Sequence, residues 1–149
     1  MPIPVDNDII RGLGFVALYA GYLEEQVDEM LFMLQQLEAY PEAEQRWAIG
    51  SKIKKAIRLV GQLQFETQVE LLADLDRLKP LFEWRNEVIH GRIYANFNRQ
   101  DTLKSGRPNV PEREVTASEL YELANNLDAA RSALLRPMLI KIPRALQAS

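Results

Sequence analysis

From Leu13 onward the apolar residues fall alternately three and four positions apart: Leu13, Val16, Ala20, Leu23, Val27, Met30, Leu34 and Leu37. An α-helix turns once in about 3.6 residues, so this spacing lines one side and predicts a long amphipathic helix of about seven turns, with a seam of coiled-coil type. The opening PIPVDND reads as a short arm, with Asp6 or Asn7 as the helix N-cap. Phe15, Leu18, Tyr22 and Leu31 widen the apolar surface beyond the seam, which suits part of it to a second subunit. Tyr40 and Pro41 end the helix.

The pattern resumes over a second helix from about Glu42 to Gln64, with Trp47, Ile49, Ile53, Ile57, Val60 and Leu63 as its buried positions. Thr67 opens a third, whose stripe is Leu71, Leu75, Leu78, Phe82 and Ile89. Pro80 interrupts it, so either the helix kinks there or two helices meet with Pro80 at the first position of the second. Both cases set off Leu81 to His90 as a segment ended by Gly91. Arg85 falls in the apolar stripe. A cation there must be paired, placed at an interface or kept for a ligand, because burying it alone costs several kcal/mol. Asp28 or Glu29 of the first helix is the ordinary partner.

Between Arg92 and Glu114 the helical period lapses. Ile93, Ala95 and Phe97 alternate, Ser105-Gly106 signals a turn, and Pro108 and Pro111 follow, which fits either a loose β-hairpin or an ordered loop. Thr116 with Glu119 makes a capping box opening a fourth helix, with Leu120, Leu123, Leu127, Ala130 and Leu134 as its seam and Pro137 as its end. The tail, MLIKIPRALQAS, is expected to pack back on the helices or on a partner. The expected fold is all-α: one domain over residues 1–149, an up-and-down bundle of four main helices with an irregular or β-hairpin-like insertion at about 92–115.

A chain of 149 residues buries about 70% of its unfolded surface as one domain. It has no cysteine, which excludes disulfides, thiolate metal sites and cysteine nucleophiles. A single histidine excludes histidine-rich metal sites, and no carboxylate spacing of the magnesium or calcium kind stands out, so no metal or cofactor is expected. There is no internal repeat, and Gly12-Leu13-Gly14 lies in a helical pattern, not in a phosphate loop. Residues 12 to 23 are uncharged, yet too few to cross a bilayer, and no signal-peptide pattern surrounds them. A cytoplasmic protein without membrane attachment is expected.

The net charge of −3 conceals an uneven distribution. Residues 1 to 45 carry nine acids and one base, whereas Arg46 to Phe65 carry five bases (Arg46, Lys52, Lys54, Lys55 and Arg58) and no acid. That run is either a basic face for phosphates or the counterpart of the acidic first helix. A second basic stretch, Arg92, Arg99, Lys104, Arg107 and Arg113, follows the only histidine and is either a lid for RNA or a surface loop. Tyr94 and Phe97 are placed in it to stack on bases or to pack on the helices.

The chemistry converges on Trp84 to Tyr94, WRNEVIHGRIY. His90 is the side chain suited to acid–base work near neutral pH, and Arg85 brings a forked, permanent charge suited to phosphate. On a helix Asn86 projects within about 40° of His90, whereas Arg85 lies about 140° away. Both motif ends then reach one small ligand if the arginine wraps round, the helix loosens at Gly91, or a second chain contributes.

This run of arginine, asparagine, three residues and histidine resembles the motif of the HEPN domain family (higher eukaryotes and prokaryotes nucleotide-binding). The resemblance implies a helical bundle that dimerises, bringing two motif copies into one cleft that cuts RNA without metal, with Arg85, Asn86 and His90 as catalytic residues. It also implies RNA, a second copy and an antitoxin protein as partners, and a toxin or phage-defence role. In the branch that pairs with a small nucleotidyltransferase a tyrosine stands two residues after the histidine; here that position is Arg92 and the nearest tyrosine is Tyr94. Lys52, Lys54, Lys55, Arg58, Arg92, Tyr94 and Arg99 are the expected RNA contacts. The alternative is a non-catalytic module that binds RNA, a nucleotide or a partner protein, with His90 simply closing a helix.

Overall fold

The computed structural model describes residues 8–96 and 99–148. The chain is mostly helical, and among the described residues it carries one small antiparallel sheet, which lies in the insertion expected at about 92–115. The elements are α1 (Ile9–Met33), α2 (Glu42–Gln45), α3 (Ile49–Val60), α4 (Gln68–Asp76), α5 (Leu78–His90), β1 (Arg92–Tyr94), β2 (Thr102–Lys104), β3 (Arg113–Glu114), α6 (Ala117–Arg136) and α7 (Ile142–Ala148). They form two compact units, Met1–Gly21 with Leu81–Leu127 and Tyr22–Pro80 with Asp128–Ser149. The divisions fall inside α1, α5 and α6, so neither unit is a continuous stretch of sequence.

The long first helix is present, and Val16, Ala20, Leu23, Val27, Met30 and Leu34 of its seam are buried. Its cap is Asp8, whose Oδ1 accepts the Arg11 amide at 3.0 Å; Asp6 and Asn7 lie outside the described residues. Leu18 and Tyr22 stay exposed, whereas Leu31 is buried.

In the unit Tyr22–Pro80 with Asp128–Ser149, the expected second helix is broken into α2 and α3. Ala48 between them is extended, at φ −60° and ψ 149°. Trp47, expected inside, is 42% exposed. On an unbroken helix it would stand about 160° from Ile49, so the two cannot share a buried face. The expected third helix is likewise two, α4 and α5, meeting at Arg77. Pro80 is the third residue of α5, where a missing N–H costs no helical bond. After α6 the chain does not stop being helical at Pro137: Pro137–Lys141 forms a π-helical turn that runs straight into α7. Pro137 has no N–H for the Ala133 carbonyl and its ring would crowd that carbonyl in a regular α-helix; the wider turn starts at this residue and the chain goes on helical, with Met138, Ile142 and Leu146 buried.

In the unit Met1–Gly21 with Leu81–Leu127, α1 comes against the start of α6 at Gly12. A Cβ added there would lie 3.0 Å from the Leu120 Cβ, so the glycine is what permits the approach. Phe15 and Tyr121 pack beside it, ring centroids 5.9 Å apart. The insertion after α5 is a three-stranded antiparallel sheet in the order β1-β2-β3. Arg92 pairs with Lys104, Ile93 with Leu103 and Tyr94 with Thr102; Thr102 then pairs with Glu114 and Leu103 with Arg113. Leu103 and Val115 are buried. The sheet also explains why Val88 is buried while Ile89, the stripe residue, is only half-buried. Arg113 and Leu103 cover a second side of α5, so a position one step round the helix becomes interior.

Candidate functional site

α5 presents the three motif residues in two directions. His90 closes the helix and is exposed; Asn86, one turn earlier, is half-buried and lies about 40° from it around the axis. Arg85 leaves the helix about 140° away. It is half-buried, with its guanidinium over the Phe82 ring, 5.1 Å from the centroid. Within one chain, then, α5 groups Asn86 with His90 and directs Arg85 elsewhere.

The end of α5 is fixed by two devices. The first is Gly91: a Cβ there would fall 2.6 Å from the Glu87 carbonyl oxygen, 2.7 Å from Leu103 Cδ1 and 3.0 Å from the Lys104 carbonyl oxygen, so β2 passes directly over this residue. The second is an ion cluster. Arg113 donates from Nε to Glu87 at 2.7 Å and from both terminal nitrogens to Glu119 at 2.7 and 2.8 Å; Trp84 Nε1 adds a bond to Glu119 at 2.9 Å. Burial alone would raise the Glu119 carboxyl, but the bonds from Arg113 and Trp84 outweigh it and hold the group below the usual carboxylate range. The bond to Glu119 first, and then that to Glu87, raise the Arg113 guanidinium above its usual value against the opposing effect of burial. Thr116 Oγ1 accepts the Glu119 amide at 3.1 Å, so half of the expected capping box forms while the Glu119 carboxylate clamps the sheet to α5. Arg113, part of the stretch read either as an RNA lid or as a surface loop, is thereby tied to α5 and α6.

Beyond Gly91 the sheet presents an outer face. Successive strand residues point to opposite sides, so with Ile93 and Leu103 turned inward, Arg92, Tyr94, Lys104 and Thr102 share the other side. Arg92, Tyr94 and Lys104 are exposed. The turn after β2 returns to the helix end, where a Cβ on Gly106 would lie 3.6 Å from the His90 carbonyl oxygen, and Arg107 follows exposed. Glu114 faces Thr102 from β3, and Glu112 accepts the Thr102 hydroxyl at 2.6 Å, so the β3 side of this face is acidic. Asn96 ties the β1–β2 connection to the Tyr94 and Gln100 carbonyls at 3.2 and 3.1 Å, and Arg99 donates to its Oδ1 at 3.0 Å. Phe97 lies outside the described residues. Pairing Arg92 with Lys104 was beyond the sequence pattern, which shows the basic stretch but not its register.

The earlier basic run is a different matter. Lys52, 8% exposed, pairs with Asp28 at 2.9 Å. Lys55, 3% exposed, is held by Glu44, by Glu38 at 3.2 Å and by the Ala39 carbonyl at 2.6 Å, with its ammonium over the rings of Tyr40 and Trp47. Arg58 makes a two-pronged bond to Glu38 at 3.0 and 2.6 Å. Arg58 first and Lys55 second draw the Glu38 carboxyl from its ordinary 4.5 down to about 2. Burial, then the bond to Asp28, pushes the Tyr40 phenol well above its usual value. Lys52, Lys55 and Arg58 therefore pair with acids of α1, of the turn after it and of α2; Lys52 and Lys55 are buried, and Arg58 is exposed. Lys54 is exposed on α3.

Among the described residues no three histidine or carboxylate side chains converge as metal ligands, and no helix is long and apolar enough to cross a membrane. No family model matches the chain, and neither a curated protein nor a solved structure is significantly similar to it.

Proposed function

We propose that the protein is a metal-independent endoribonuclease of the HEPN kind, with its main helices forming the bundle of that family, acting as a homodimer in toxin or phage defence. The observation that carries the reading is the exposure of His90 at the end of α5, followed at once by the basic outer face of Arg92 and Lys104. His90 takes the proton from a ribose 2′-hydroxyl or returns one to the leaving 5′-oxygen. Arg85 holds the charge growing on the phosphate, and Asn86 orients the phosphate or the imidazole. The products are a 2′,3′-cyclic phosphate and a 5′-hydroxyl. Because Arg85 leaves α5 about 140° from His90, the working site takes one motif from each of two chains. On this reading the protein acts in the cytoplasm and is restrained by a protein antitoxin.

The test is incubation of purified protein with mixed RNA in EDTA, beside His90→Ala and Arg85→Ala. Cleavage by the parent alone, by a species that sediments as a dimer, is the expected result; the loss for His90→Ala is about 10²- to 10⁴-fold. Equal cleavage in all three, or cleavage by a monomer, rejects the reading. One observation favours a second reading, a non-catalytic RNA-binding module: Arg85 is half-buried over Phe82. RNA binding without cleavage in any of the three is its signature.

A further inference from the structure

We infer that the outer face of β1 and β2 is a binding strip for single-stranded RNA, with Arg92 and Lys104 on the phosphates and Tyr94 as a stacking platform for a base. The inference rests on the RNA reading above but not on cleavage. Its starting point is the register, which sets Arg92 directly opposite Lys104 on one side of an antiparallel pair. Like charges so placed repel and weaken a sheet. Among the described residues neither has an ion-pair partner, although Glu114 stands on β3 with Glu112 just before it, and Arg113 of the same sheet is engaged by Glu87 and Glu119. A sheet only three residues deep at this point retains a repulsive pair that a neutral side chain would relieve, and an anion bridging the two cations turns the repulsion into attraction.

The neighbouring rung supplies the second element. Tyr94 lies two residues along β1 from Arg92 on the same side, about 7 Å away along the strand, and is 42% exposed. That spacing matches one nucleotide of an extended strand, so a phosphate held by the cations leaves the adjoining base over the phenol ring. The acids select the form of the nucleic acid. Glu112 and Glu114 border the strip on its β3 side, and a double helix, much wider than two β-strands, would be pressed onto both carboxylates. A single strand running along β1 avoids them.

The experiment uses the full chain and a short fluorescein-labelled RNA that is 2′-O-methylated throughout, so that it has no free 2′-hydroxyl to be cut, followed by fluorescence anisotropy. The expected results are tighter binding of the single strand than of the same sequence as a duplex and a loss of about tenfold for Tyr94→Ala on the single strand. Arg92→Gln and Lys104→Gln each weaken binding and lower the salt dependence by about 0.7 in log–log slope. Lys104→Arg retains binding, and Lys104→Gln melts no lower than the parent. Equal affinity for duplex, equal affinity for polyglutamate at the same salt, or parent-like binding by both glutamine variants overturns the inference. If unmodified RNA is cut while the methylated strand binds without regard to these residues, the strip is wrong and the nuclease reading stands. Binding as expected with no cleavage of unmodified RNA is the converse.

Discussion

Arg113 meets Glu119 fork to fork, two guanidinium nitrogens on two carboxylate oxygens at 2.7 and 2.8 Å, and has Nε left over for Glu87 on α5. One side chain thus joins β3, the first turn of α6 and the helix that ends in His90. Removing it leaves the Glu119 carboxylate partly buried with only Trp84 as partner. Arg113→Ala is expected to cost about 2 kcal/mol, between the worth of a charged hydrogen bond and that of a buried pair. Arg113→Lys recovers little, since an ammonium cannot reproduce the fork. Urea unfolding gives the loss, and amide exchange over residues 102–104 and 113–115 shows whether it is local to the sheet.

The close pass of β2 over the helix end makes Gly91 and Gly14 opposite cases. At Gly91 an added methyl meets two carbonyl oxygens and a leucine methyl, the oxygens at 2.6 and 3.0 Å, and backbone cannot swing aside as a side chain can. Gly91→Ala is expected to destabilise by about 1–3 kcal/mol, the range for overpacking. A Cβ at Gly14, in the interior of α1, meets nothing within 4 Å. Gly14→Ala is expected to stabilise by about 0.5–1 kcal/mol through helix propensity. Thermal melts of the two variants must move in opposite directions.

The pairing of Glu38 with Arg58 and Lys55 fixes a pH dependence. Its carboxyl falls from 4.5 to about 2 in the folded chain, so the unfolded state binds the proton more readily. The stability this contributes is fully present above about pH 4.5 and is lost as the pH falls toward 2. Glu119, also held down, titrates in the same direction. Comparison of the parent with Glu38→Gln isolates the first group. The variant should be less stable at neutral pH, and its stability should fall less steeply between pH 4.5 and 2. Added salt should shrink the difference, because the Glu38 side chain is 44% exposed. A parallel pair of pH–stability curves would refute the assignment.

What could be read from sequence was what depends on local periodicity. Val16, Ala20, Leu23, Val27, Met30 and Leu34 are buried as the three-four spacing requires, and the angle between Arg85 and His90 follows from their separation alone. The break before α3 was hidden because neither Trp47 nor Ala48 is a helix breaker; only the mismatch of Trp47 with the face of Ile49 betrays it. The described strands are at most three residues long, too short for a period of two to register, and the pairing of Arg92 with Lys104 is a register between two strands that no local period encodes. Charge partnership is non-local as well. Lys52 and Asp28 are distant in sequence, so a run of bases on α3 looks identical whether it faces phosphate or the carboxylates it holds. That is why the cations on β1 and β2, and not the paired Lys52, Lys55 and Arg58 of α3, enter the candidate site.

The Lys55 cluster yields the last prediction because its members can be removed in pairs. The ammonium is buried between Glu44 and Glu38, and Glu44 is itself largely covered. Lys55→Met keeps the volume and the contact with the Tyr40 and Trp47 rings but strands a carboxylate, so it is expected to cost about 3 kcal/mol, near the lower end for breaking a buried pair. Glu44→Gln alone should cost less, since Glu38 and the Ala39 carbonyl still hold the ammonium. The double variant Lys55→Met with Glu44→Gln then removes the penalty of an unpaired charge, and its loss should fall short of the sum of the singles by about 1 kcal/mol or more. Urea denaturation of the four proteins closes the cycle. Additive losses would mean that Lys55 is held by the backbone and Glu38 alone, with Glu44 incidental to the fold.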